Sequence, residues 1–335
     1  MRRFILLFSF FITFSLSMPL SATDKPVLTI YTYNSFTSDW GPGPKVKEAF
    51  EKDCHCQLKY VSLEDGVSLL SRLKLEGKNT KADIVLGLDT NLTAEAEATG
   101  LFAPHGMTLS DSSLPNKWEN KTFLPYDFGY FAFVYDKTKL KNPPTSLKAL
   151  VENTDSPKIL IQDPRTSTPG LGLLLWVKKV YGDKASEAWA KLSPRIVTVS
   201  KGWSEAYGLF LKGEAPMVLS YTTSPAYHII SEKKENYAAA KFSEGHYQQV
   251  EVAGLIKSSK QAELAKKFLT FMLSENFQSL IPTTNWMYPA SLPATKLPNA
   301  YKTLVDPQPA LMFDETEVAK NRKAWVKEWL DTLAK

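Results

Sequence analysis

Apolar positions along the chain recur with two periods, and the two periods alternate. Val27–Tyr33 is β-branched and aromatic and predicts a strand, while Lys45–Lys52 sets Val46, Ala49 and Phe50 on one helical face. Leu58–Leu63 and Val67–Glu76 repeat the strand–helix pair. Ala82–Leu88 is a nearly continuous apolar run of the kind buried on both faces of a sheet, and Asn91–Leu101 is helical again. Such a series predicts a mostly parallel sheet with helices on both sides. Phe123–Tyr135 breaks the rhythm: it is too long and too aromatic for one ordinary strand, and its length suits a segment that leaves one lobe and enters another. After the turn at Asn142-Pro143-Pro144 a second series follows. Its helices are Ser146–Val151, Gly170–Tyr181, Ser204–Leu211 and Pro225–Lys234, and its strands are Lys158–Ile161, Ile196–Val199 and Met217–Tyr221. Tyr247–Ile256 reads as a strand that carries the chain back, and Gln261–Met272 and Val318–Leu333 as helices that close it. The expected fold is α/β, in two lobes with a cleft between them.

The first residues change the picture of where the protein works. Arg2 and Arg3 precede an apolar run, Phe4–Met18, and then Pro19-Leu20-Ser21-Ala22, which is the order of a secretory signal peptide. The run falls short of the roughly 20 apolar residues of a membrane span, and no cysteine stands near the cut to carry a lipid. Cleavage after Ala22 leaves about 313 residues, room for two lobes, and takes the formal charge from +5 to +3, because Arg2 and Arg3 leave. No basic stripe follows a phosphate backbone, so nucleic acid is not an expected partner. The two cysteines, Cys54 and Cys56, flank His55. In an oxidising compartment a local disulfide is favoured over a metal site or free thiols, although alternate residues of an extended strand lie near the upper limit of a bridgeable separation.

In open parallel sheets ligands bind beyond the carboxyl ends of the strands. Reading those ends gives Tyr33 with Trp40 nearby, Glu64-Asp65-Gly66, Asp89, Gln162–Gly170, Ser200–Trp203 and Ser220–Pro225. The set is rich in aromatics and hydroxyls and thin in catalytic pairs. Thr166–Gly172 (TSTPGLG) opens a helix, where hydroxyls and free N–H groups attract anions; on pattern alone, ordinary N-capping by Ser167 or Thr168 is the commoner outcome, and Ser224-Pro225 carries the same ambiguity. Trp40, Trp203 and Trp286 stand in Gly-, Pro- or Asn-rich loops, where they either stack a flat or cationic ligand or cover a core edge. Trp176, Trp325 and Trp329 have helical contexts that fit packing. The four histidines have no metal-ligand spacing, and Ser167 and Ser224 lack the glycines of a nucleophile elbow.

Long segments carry a family resemblance: VLTIYTYNSFTSDWGPGP (27–44), SLEDGVSLL (62–70), ADIVLGLD (82–89), QDPRTSTPGLGLLLW (162–176), KGWSEAYGLF (201–210), LSYTTSPAY (219–227) and IPTTNWMYP (281–289). Together they resemble the periplasmic thiamine-binding proteins of bacterial ATP-driven importers over nearly the whole mature chain. The resemblance implies the two-lobed, type II, ferric-binding-like fold, with each lobe a mostly parallel sheet flanked by helices. The chain divides as signal peptide 1–22, lobe 1 at 23–126 and 250–292, and lobe 2 at 127–249 and 293–335. It implies a periplasmic monomer that is not an enzyme, needs no cofactor or metal, binds thiamine, thiamine monophosphate and thiamine diphosphate, and delivers them to an inner-membrane ABC permease. The matching motifs put Trp40, Asp65, Gly66, Ser167, Trp203, Tyr221, Ser224, Tyr227, Asn285 and Trp286 in the cleft, with Tyr33 a further candidate. The thiazolium cation suits aromatic faces, the aminopyrimidine amine is expected to donate to Asp65, and the phosphates are expected at the helix starts after Ser167 and Ser224.

Two other functions share this fold. An enzyme of the thiaminase I kind needs a cysteine nucleophile and an acidic base in the cleft, and here both cysteines sit together before a strand. A ferric-ion binder needs two adjacent tyrosines, whereas Tyr221 and Tyr227 are six residues apart.

Overall fold

A computed structural model describes residues 25–109 and 112–334, so the signal peptide expected at 1–22 lies outside the described residues. The first strand–helix series forms as read: β1 (Val27–Tyr33), α1 (Gly43–Cys54), β2 (Gln57–Leu63), α2 (Gly66–Glu76) and β3 (Ile84–Asp89). All six residues of β3 are buried, as its unbroken apolar run requires. The helix expected at Asn91–Leu101 is only the turn-and-a-half Thr93–Glu97, ended by Gly100 at φ +68°. Cys54 and Cys56 are joined in a disulfide across the turn from α1 to β2. His55 takes the left-handed conformation between them, and this brings the Cα atoms to 5.1 Å, well inside the bridgeable range.

The aromatic run is a single 14-residue strand, β4 (Phe123–Asp136). The second series then supplies β5 (Ile159–Gln162), α3 (Thr168–Tyr181), α4 (Ala185–Leu192), β6 (Ile196–Ser200), α5 (Trp203–Lys212) and β7 (Met217–Tyr221). Helix α4 is an addition to the expected elements; it buries Ala185, Ala188, Trp189 and Leu192, spaced i, i+3, i+4, i+7. The helix expected at Pro225–Lys234 forms differently. A single turn, Pro225–Tyr227, widens into a π-turn at His228–Glu232 that ends at Lys233 with φ +55°. Two bonds pin the bulge: His228 Nε2 lies 2.8 Å from the Tyr207 hydroxyl, and Nδ1 2.7 Å from Glu232.

Strand β8 (His246–Ile256) returns to the first lobe, followed by α6 (Ala262–Met272) and the closing α7 (Glu315–Leu333). One sheet runs through the molecule in the order β2-β1-β3-β8-β4-β7-β5-β6. β1, β2 and β3 are parallel, as are β5, β6 and β7; β4 and β8 are antiparallel to their neighbours and join the halves. β4 pairs with β8 from Phe123 to Tyr130 and with β7 from Phe131 to Tyr135, so the strand passes between lobes without a loop. Helix α7, N-capped by Asp314, touches both lobes: Arg322 pairs with Glu95 at 2.7 Å on one side and Lys178 with Glu328 at 3.1 Å on the other. Among the described residues no helix is long and apolar enough to cross a membrane.

Candidate functional site

A cleft of about 330 Å³ opens between the lobes, within the size range of small-molecule sites. Strand ends and helix starts build it. Tyr33 ends β1, and its ring lies over Gly87, which sits at φ +109°; a Cβ there would come within 2.2 Å of the ring. Asp65 and Gly66 begin α2, Trp203 begins α5, and Tyr221 ends β7, with Ser224 and Tyr227 just beyond. Trp286 follows a π-turn at Ile281–Asn285 and is held at φ +59°, a costly conformation for a bulky residue that aims its indole at the cleft. Of the residues expected in the cleft, Tyr33, Trp40, Asp65, Gly66, Trp203, Tyr221, Ser224, Tyr227, Asn285 and Trp286 border it. Ser167 does not: it is fully buried behind Asp65, and its neighbour Thr168 borders the cleft instead.

The aromatic walls are rigid on one side and open on the other. Trp203 stacks on Tyr207 at 4.9 Å and donates from Nε1 to Ser220 Oγ at 2.7 Å, and Tyr207 is fixed in turn by His228. Trp40 faces Trp203 across the cleft at 6.1 Å and is 47% exposed, so it stands at the mouth. Tyr227 meets Trp286 edge-on at 5.3 Å. Tyr207 and Leu211, one and two turns along α5 from Trp203, complete that wall. They were expected only as part of a helix, although the i, i+4, i+8 spacing from Trp203 marks the same face.

At one edge the lobes are already in contact. The Ser167 hydroxyl donates to Asp65 Oδ2 at 2.6 Å, and the Trp203 backbone N–H donates to the same oxygen at 3.1 Å. Gly66 N–H donates to Thr168 Oγ1 at 3.1 Å, and Ser68 donates through both N–H and hydroxyl to the Thr166 carbonyl. Asp65 therefore does not cap α2, since its side chain makes no bond to that helix. Burial pushes its carboxyl up to about 7, against the lowering effect of Ser167 and Trp203. Asp65 and Ser167, expected at opposite ends of a ligand, are thus one hydrogen-bonded pair. The anion cup expected after Ser224 has no helix behind it, because Pro225–Tyr227 is a single turn; the Ser224 hydroxyl instead bonds Ser220 Oγ at 2.7 Å and receives the Tyr221 N–H.

The floor holds residues that strand ends did not point to. Glu251 of β8 borders the cleft and accepts from the hydroxyls of Tyr33 and Tyr126, both at 2.9 Å. Asn285 donates to Asp127 at 2.6 Å. A lone acid inside each buried strand was the available signal, in YQQVEV and FLPYDFGY. Among the described residues bordering the cleft, the charged side chains are carboxylates; none is Lys, Arg or His. Both cysteines are locked together away from the cleft, which leaves no thiol to act there as a nucleophile. Among the described residues no group of three His, Cys, Asp or Glu side chains is arranged to hold a metal, and the Tyr221 hydroxyl receives a bond from Gln249 Nε2 at 3.2 Å.

Comparisons with known proteins agree with this architecture. Residues 42–278 match the family of bacterial extracellular solute-binding proteins. The chain is similar to the thiamine-binding periplasmic protein of Escherichia coli (strain K12), with 64% identity over 305 residues, 91% of this chain and 93% of that one. A solved structure described as a periplasmic thiamin binding protein superposes with a TM-score of 0.91 at 63% identity, covering 93% of this chain and 97% of its own. The ferric binding protein from Campylobacter jejuni superposes with a TM-score of 0.73 at 20% identity, covering 91% of this chain and 99% of its own, a likeness of fold alone.

Proposed function

The chain belongs to the bacterial extracellular solute-binding protein family, and from that premise we propose that it is the periplasmic component of an ABC importer that captures thiamine. The observation that carries the reading is the composition of the cleft: aromatic faces on both lobes and, among the described residues that border it, charged side chains that are carboxyls. Such a lining suits a flat ring with a fixed positive charge and disfavours a ligand that is anionic throughout. The thiamine-binding relatives supply the ligand's identity, and the rings Trp40, Trp203, Tyr221, Tyr227 and Trp286 its stacking partners. Thiamine monophosphate and diphosphate are included in the proposal. Their phosphate end is assigned to the edge where Asp65, Gly66 and Thr168 border the cleft and a neutral Asp65 carboxyl can donate in place of a basic side chain. Ser167 then acts by holding Asp65.

The lobes are taken as 23–126 with 250–292 and 127–249 with 293–335, turning about β4 and β8, and the working unit as a monomer that presents its closed form to an inner-membrane permease. A ligand that bridges the lobes favours that form because it makes its contacts only there. Calorimetric titration of the mature protein with thiamine, its monophosphate and its diphosphate tests the reading. Saturable binding of thiamine with quenching of tryptophan fluorescence is expected. No heat with thiamine overturns the proposal, and heat with thiamine but none with the phosphates removes the phosphate assignment alone.

A further inference from the structure

Ring stacking does not account for the charge at the cleft floor. Glu251 on β8 and Asp127 on β4 are direct partners in the antiparallel ladder, and they are 6% and 0% exposed. The Asn285 amide lies between their carboxyls, 2.6 Å from Asp127 Oδ2 and 3.5 Å from Glu251 Oε2. Like charges directly opposite one another destabilise a sheet, and a basic neighbour is the usual remedy. Here the facing groups are neutral: the Tyr33 hydroxyl from β1, the Tyr126 hydroxyl from β4 and, at 3.5 Å, the Asn285 amide. The titratable groups further out are Tyr221 on β7, Asp89 on β3 and Asp65 at the start of α2, again without a cation. Asp127 Oδ2 accepts from Asn285 at 2.6 Å, and its Oδ1 is buried without a partner. Two carboxyls this close in a dry site cannot both ionise, so the pair retains a proton. Burial first, and the charge of Glu251 second, hold Asp127 far above the ordinary carboxylate range.

Only one member of the pair, Glu251, opens on the cleft. We propose that Glu251 and Asp127 together form the counter-charge for a cationic ring, and that the pair exchanges its proton for the ligand's positive charge on binding. The step balances: the pair's O–H bond breaks, the proton leaves to solvent, and the ligand's ring takes its place against the second carboxylate. The inference rests on the thiamine reading, because a thiazolium nitrogen carries no proton to lose and keeps its charge through neutral and acidic pH. It makes two further statements about the site. Selectivity for a cation over a neutral ring of the same shape comes from the hinge strands rather than the aromatic walls. With the opposing Asp65 proton removed by Asp65→Asn, affinity for thiamine rises with pH, by up to about tenfold per unit while one proton is released.

The test is titration calorimetry of the mature protein in buffers of different ionisation enthalpy, which counts protons released per thiamine bound. Closure buries Asp65 and takes up a proton of its own, so each measurement is repeated with Asp65→Asn. In that background we expect net release of up to one proton. Glu251→Gln abolishes the release and weakens thiamine by about 10- to 100-fold, the range for losing a charged partner, while an uncharged thiophene analogue of thiamine loses less than about threefold. Asp127→Asn, which keeps the shape of the floor, abolishes the release and flattens the pH dependence, and it decides the matter if Glu251→Gln does not fold. Thiamine binding with no proton released in the Asp65→Asn background, or wild-type thiamine affinity in Glu251→Gln, overturns the inference and leaves the thiamine reading standing. Absence of thiamine binding in the unmodified protein overturns both.

Discussion

Replacing Asp65 by Asn asks whether the contact between the lobes is a proton-dependent latch. In the closed arrangement Asp65 Oδ2 accepts 2.6 Å and 3.1 Å bonds from Ser167 and Trp203 of the opposite lobe, and burial lifts the carboxyl from 3.8 to about 7. With the lobes apart the group is solvated and returns to its ordinary value near 3.9. Closing therefore binds a proton between those limits. The latch is at full strength below about pH 4 and is lost as pH rises through about 7. From pH 5 to pH 8 the closing constant falls by on the order of 100-fold by linkage. An asparagine keeps an acceptor oxygen for both donors and cannot ionise, so its closing constant is flat over the same range. The assay is a fluorescent donor–acceptor pair, one dye on each lobe, read without ligand from pH 5 to pH 8 and checked by the radius of gyration. Loss of the closed population with rising pH in the wild type, and its absence in Asp65→Asn, is the expected result. Equal pH slopes in the two proteins would refute the latch.

Trp286→Ala should weaken thiamine by about 1–3 kcal/mol, the range for a lost stacking and cation–π contact, and titration of that variant decides whether the strained indole belongs to the site. Gly66→Ala places a Cβ 2.5 Å from the Gly87 carbonyl and 2.7 Å from Thr168 Oγ1, at the line where the lobes meet. The strain should cost about 1–3 kcal/mol of binding with a smaller change in melting temperature, and unchanged affinity would show that the lobes do not need this approach. Asp89 is buried, bonded to Asn91, and pushed up to about 7 by burial. Its neutral form stabilises the fold fully below pH 3.8, and that contribution drains away through about 7. The melting temperature of Asp89→Asn relative to wild type should therefore climb from pH 4 to pH 8, by an amount corresponding to on the order of 4 kcal/mol; calorimetric scans showing a constant difference would contradict it.

The cleft aromatics were legible because each stands where a strand ends or a loop turns, and in an α/β sheet those positions converge. Ser167 misled for a physical reason. A hydroxyl at a helix start looks the same in sequence whether its partner is a ligand, its own helix or a residue of the other lobe, and the partner here is Asp65, 102 residues away. Asp65 itself satisfied the pattern of an N-cap, but its carboxyl bonds Ser167 and Trp203 rather than its own helix. Glu251 and Asp127 show the complementary limit. Each was visible as a lone acid in an apolar strand, but their meaning depends on the ladder that sets β8 beside β4, a pairing that local periodicity does not contain. The π-turn at His228–Glu232 was hidden likewise, since it depends on the Tyr207 bond reaching His228 from α5.

The position of β8 has a consequence for how the chain acquires its shape. In the first lobe β8 is an inner strand, hydrogen-bonded to β3 on one side and β4 on the other, yet it is made of residues 246–256, more than 150 residues after β3. The sheet begun by β1, β2 and β3 therefore keeps an open edge until the whole second series has been synthesised. A topology so dominated by distant contacts folds slowly, and its first 130 residues have no complete core of their own to settle into. For a periplasmic protein, which works on the far side of a membrane from where it is made, that delay keeps the lobe made first from completing its sheet early.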